Sequence, residues 1–242
     1  MKILLLSKTA VPAVLEAGRP ACCPKTKITI LLALFLTASL AKAAAPFDWN
    51  SETIHCGNLV YGENKTAICF AEKFLSDAAT ETGLRIAPKF RRIFLSKDEV
   101  FTTPFCIFTG QGDFKLGDIE RNNLRRYLEN GGFVLASPGC SDQAWNKAFA
   151  REIQLALPAY GLKQIPMSHE LFSTVNKITS LTVKGRSTSL QGISINGRLA
   201  MVYSPEGLND ASNAQGCCCC GGAEISQSRD INVNAIAYSL LH

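Results

Sequence analysis

The sequence predicts an α/β fold: a mainly parallel sheet covered by helices, with an antiparallel addition late in the chain. Two observations carry this. Short apolar runs alternate with amphipathic stretches along the chain, the pattern of strands that need helices on their faces. Two of those runs, Phe105 to Thr109 and Phe133 to Ser137, are too apolar to be anything but buried strands. A third observation, Asn196-Gly197 between Ile193-Ser194-Ile195 and Leu199 to Tyr203, is the strongest short signal for a hairpin.

In chain order, Ile54 to Tyr61 reads as the first strand, ending near Gly62-Glu63-Asn64. Cys69 to Thr82 reads as a helix with Phe70, Phe74 and Ala78 on one face and Gly83 as its stop. Arg92 to Leu95 is a candidate strand. Leu116 to Asn130 reads as a helix whose Leu116, Ile119, Leu124, Tyr127 and Leu128 form its buried face. Gly131 and Gly132 close it and release the chain into the Phe133 strand. Ser141 is placed to cap the next helix, where Trp145, Ala148, Phe149, Ile153 and Ala156 recur at helical spacing up to Pro158 and Gly161. A final helix, Arg229 to Leu241, is apolar on most sides and therefore buried.

Charge separates a leader from the body. The chain has 242 residues, with 25 Lys and Arg against 20 Asp and Glu, a formal charge of +5. Six of those basic residues and one acid precede Ala44, so the remaining 199 residues carry 19 of each sign. A neutral body without a basic, aromatic-interleaved run excludes nucleic acid as an expected partner. Lys25 and Lys27 flank an apolar run from Ile28 to Leu40, followed by Ala41-Lys42-Ala43. Positive flank, short apolar core and Ala-x-Ala describe a secretory signal over residues 1–43, with residues 44–242 as one exported α/β domain. The apolar run of 13 residues is short for a membrane span, which takes about 20. No membrane span is expected after cleavage, and the expected location is the periplasm or the exterior.

Export makes the cysteines informative, because disulfides persist in oxidising compartments. Cys22 and Cys23 leave with the leader; Cys56, Cys69, Cys106, Cys140 and Cys217-Cys218-Cys219-Cys220 remain. Structural zinc sites use pairs two to four residues apart, unlike this tandem, and four consecutive residues do not easily surround one ion. A metal or cluster at Cys217, Cys218, Cys219 and Cys220 would need a distant ligand such as Cys56, Cys140 or His55. Disulfides from the tandem to isolated cysteines are the competing reading.

Cys140 is the candidate nucleophile. It lies in Pro138-Gly139-Cys140-Ser141-Asp142, between a buried strand and a helix N-terminus that lowers a thiol pKa. His169, oriented by Glu170 or Asp142, is the candidate base, with His55 as the other choice. A packed or disulfide-bonded Cys140, and a His169 that caps a local turn, are the structural alternatives. Phosphate-loop, dinucleotide and Gly-x-Ser-x-Gly patterns are absent.

Several segments together resemble the bacterial family called domain of unknown function 4159. They are Pro104-Phe105-Cys106-Ile107-Phe108-Thr109-Gly110, Leu124 to Phe133, His169-Glu170-Leu171-Phe172, Asn196-Gly197-Arg198 and Asn232 to Tyr238. The resemblance implies a three-layer sandwich, flavodoxin-like and similar to class I glutamine amidotransferases. In those enzymes the nucleophilic cysteine follows the strand corresponding to Phe133 to Ser137, which is close to Cys140. Their Gly-x-Cys-x-Gly is here Gly139-Cys140-Ser141-Asp142. The leading expectation is a non-enzymatic binding or interaction module braced by the cysteine cluster, with an envelope protein or a small polar ligand as partner. The alternatives are a thiol-dependent amidohydrolase using Cys140 and His169, or a metal or redox site at Cys217 to Cys220.

Overall fold

A computed structural model of the chain describes residues 53–66, 70–210 and 223–242. Its centre is the pair β3 (Phe105–Gly110) and β4 (Phe133–Pro138), buried along their whole length. They run parallel, with Phe105 opposite Phe133 and Gly110 opposite Pro138. Because successive strand residues point to opposite faces, one pair of sequences serves two cores. Phe105, Ile107, Phe133 and Leu135 pack with residues of α1 (Lys73–Thr82) and α4 (Ser228–Leu241). Cys106, Phe108, Val134 and Ala136 pack with residues of α2 (Asp118–Glu129) and α3 (Gln143–Ala156). Helices, sheet and helices therefore form three layers, as the sequence predicts.

The sheet is completed by β1 (Gly57–Val60), β2 (Arg91–Phe94), β5 (Lys163–Gln164), β8 (Gln191–Ile195) and β9 (Arg198–Tyr203), in the order β2-β1-β3-β4-β9-β8-β5. The first five in that order are mutually parallel, whereas β8 runs antiparallel to both β9 and β5. Their order is the flavodoxin-type order, with β1 at the point where strand succession reverses. A separate two-stranded sheet, β6 (Thr182–Val183) with β7 (Arg186–Ser187), lies outside it. The predicted hairpin is present: Asn196 and Gly197 have φ of 52° and 82°, the two positive values a type I′ turn requires.

Three local expectations are corrected. The first helix begins at Lys73, with Phe70 and Ala71 before it, because the Ala71 N–H donates to Asn209 O (2.9 Å) and ties that residue to another loop. It does end at Gly83, whose φ of 72° and N–H bond to Ala79 O close it as expected. In α2 the buried positions are Glu120, Asn123, Leu124, Tyr127 and Leu128, so Ile119 falls beside the stripe and is 65% exposed. The stripe starts on polar residues because Asn123 Nδ2 donates to Leu95 O (3.0 Å) and Glu120 accepts the N–H groups of Gly62 (2.9 Å) and Gly117 (2.8 Å). Finally, α3 is capped by Asp142, which accepts from Trp145 N at 2.8 Å, while Ser141 donates to Ala223 O at 2.6 Å. Among the described residues no helix is long and apolar enough to cross a membrane.

Candidate functional site

Strand order directs attention to the carboxyl edge of the sheet, where ligands of open α/β folds gather. A buried polar lattice closes that edge. Tyr61, just past β1, donates its hydroxyl to Thr109 O (3.0 Å) and accepts from Trp145 Nε1 (2.7 Å). Burial pushes the Tyr61 phenol well up, against the Trp145 bond, so it stays protonated. A Cβ at Gly110 would stand 2.2 Å from that hydroxyl, so only glycine fits beside it. Ser137 donates to Asn209 Oδ1 (2.7 Å) and accepts from Leu208 N (3.3 Å), joining the end of β4 to the chain that follows β9. Thr109, Ser137 and Asn209 belong to no motif; the one signal for the first two is that each is a polar residue near the end of an apolar strand.

Cys140 sits on this edge in a strained turn. Cys140 and Ser141 have φ of 56° and 54°, successive left-handed residues that are not glycine. Such positions cost about 1–3 kcal/mol each and persist only where surroundings hold them. The Cys140 sulfur accepts from Gln111 Nε2 at 2.9 Å, and the Ser141 hydroxyl holds Ala223. Asp142 is occupied as the α3 cap. Residues 210 and 223, which bracket the segment containing Cys217 to Cys220, both belong to chain fixed at this edge: Asn209 by Ser137, Ala223 by Ser141. Cys69 and Cys217 to Cys220 themselves lie outside the described residues.

His169 is at the opposite edge, and the structure does not bring it to Cys140. Its Nδ1 accepts from Leu171 N (3.1 Å), and its ring lies 5.6 Å from that of Tyr238. Tyr238 in turn lies 6.0 Å from Phe133 and accepts from Leu199 N (3.1 Å), both at the amino ends of their strands. Six residues of β4 therefore intervene, about 20 Å of strand. The cause is topological: the 14-residue α3 carries the chain back from the carboxyl edge before His169 is reached. Glu170 faces His242, with Oε1 3.3 Å from Nε2. Burial is the main cause that lowers the His169 pKa, with His242 adding to it and Glu170 opposing. His55, two residues before β1, also lies at the amino edge.

The other described cysteines are inert. Cys56 and Cys106 are free and buried, and burial pushes the Cys106 thiol up to about 12. Among the described residues no group of three or more His, Cys, Asp or Glu is placed to hold a metal ion.

A flavodoxin-type sheet with a closed polar carboxyl edge and a cysteine turn defines the structural class. Residues 58–240 match the family described as Domain of unknown function (DUF4159), and the chain belongs to that family. No curated protein matches it.

Proposed function

We propose that the protein is an exported, non-enzymatic binding or interaction module whose Cys140 turn is braced by the four-cysteine segment. The observation that carries this is the surroundings of Cys140. A nucleophilic thiol needs a base within hydrogen-bond reach, and the Gln111 amide that donates to Cys140 Sγ has no basic lone pair to offer. His169 is an edge away. Cys140 is also absent from the free thiols.

Bracing is supported by reach. Ala223, held by Ser141, is three residues after Cys220, about 10 Å of chain at most, so a cysteine of the tandem is within range of Cys140. A covalent brace also accounts for a turn that holds two strained residues. Export is supported by the Lys-flanked apolar leader and its Ala-x-Ala site.

Non-reducing peptide mapping with a free-thiol count tests the reading. The expected result is a Cys140 peptide linked to the peptide containing Cys217 to Cys220, and no bound metal. Alkylation of native Cys140, or reduced tandem cysteines carrying zinc or iron, would overturn it.

A further inference from the structure

A second feature, at the amino edge of the sheet, is independent of export and of the bonding of Cys140. There a cavity of about 700 Å³ opens between the starts of β1, β2 and β3 and the turn after α2. That volume is in the range of small-molecule sites. His55, Arg91, Arg92, Glu99, Phe101 and Asn130 are in its wall.

Charge gives the cavity a chemistry. Arg91 and Arg92 form no ion pair among the described residues. The one carboxylate in the wall, Glu99, already accepts from Phe94 N at 2.7 Å. Positive charge is therefore in excess where the body as a whole is neutral. Burial first, and then the charge of Arg91, lower the His55 pKa, which places that guanidinium's field at the imidazole. Uncompensated guanidinium groups with fixed N–H forks are suited to bidentate oxyanions.

We propose that this cavity binds a small organic oxyanion, with Arg91, beside His55, gripping a carboxylate or phosphate group, Arg92, directed to the other face of β2 over Phe94, adding charge at the rim, and Phe101 supporting the rest of the molecule. The ligand class is set by the arginines; the head group is not, and inorganic phosphate and succinate serve as the two probes.

The test titrates the purified protein with each probe by NMR, against chloride at equal ionic strength. Saturable shifts of the His55 ring resonances are expected, stronger for whichever probe carries the preferred head group. Replacing both arginines, Arg91→Ala with Arg92→Ala, should weaken binding at least tenfold and leave thermal unfolding unchanged, since both side chains are exposed. Arg125→Ala, whose guanidinium turns to Asn122, should bind as the parent does. No His55 shift with either probe, a shift matched by chloride, or undiminished binding by the double variant would overturn the proposal.

Discussion

Asn234 shows how much one side chain can organise. It is fully buried in α4, yet all four of its hydrogen-bonding positions are used. Oδ1 accepts from Val175 N (3.2 Å) and Asn176 N (2.7 Å), while Nδ2 donates to Leu171 O (2.9 Å) and Asn176 O (2.8 Å). One amide thus replaces secondary structure for the irregular chain after His169. Two residues earlier, Asn232 donates to Leu208 O (2.8 Å), but its own oxygen finds no partner among the described residues. A buried amide whose oxygen is unbonded is the weaker design, because the unmet acceptor retains its desolvation cost. Asn234→Ala should therefore lower stability by about 3 kcal/mol, through stranded backbone groups and not through lost apolar area. Urea unfolding measures it; a loss under about 1 kcal/mol would mean that water replaces the amide without penalty.

At the scale of elements, the β8–β9 hairpin depends on its turn. Gly197 has φ of 82°, and a Cβ there would meet no atom within 4 Å, so any cost of substitution is backbone strain alone. Gly197→Ala should cost about 1–2 kcal/mol in urea unfolding, and a neutral result would show that the turn relaxes. The same hairpin was legible in the sequence, as were the two central strands, because turn chemistry and unbroken apolar runs are local signals. Helix starts were less legible. Phe70 is buried like a helical residue although α1 begins at Lys73, and Ile119 is apolar but exposed because Glu120 and Asn123 seed the buried stripe. Strands of two residues, such as β5 and β6, carry no periodicity to read. For the site, Cys140 at the end of β4 was readable from strand–turn–helix order. Its separation from His169 was not, since that depends on how far α3 returns the chain. The arginine-walled cavity gathers three stretches distant in sequence, around residues 53–55, 91–104 and 127–132, so no local pattern announced it.

For the whole molecule, each helical layer is pinned by a carboxylate–guanidinium network, and the two should fail in the same pH range. Glu152, with a side chain 1% exposed, takes hydrogen bonds from Arg121 (2.8 Å), Arg151 (3.0 Å) and Leu116 N (3.2 Å) on the α2–α3 side. On the α1–α4 side, Arg229 of α4 meets Asp77 (3.1 Å) and Glu81 of α1. Burial alone would raise all three carboxyl groups, but their partners outweigh it and hold each below its usual value. A carboxyl group whose folded pKa is depressed contributes stability above its unfolded pKa, and that contribution disappears as pH falls through the folded value. Glu120 acts oppositely: burial raises it, so its protonation relieves the folded state as pH falls. Stability should therefore rise slightly as pH falls through the raised Glu120 value, and decline below the ordinary carboxylate range as the three depressed groups protonate. Urea midpoints from neutral to acid pH would show this, and Glu152→Gln separates the layers. That variant should be less stable at neutral pH, because Arg121 keeps its partly buried charge with only the exposed Asp118 as partner, and should lose less on acidification than the parent. Parallel curves for the two proteins would mean that Glu152 is already protonated in the native state, and would assign the acid response to Asp77 and Glu81 alone.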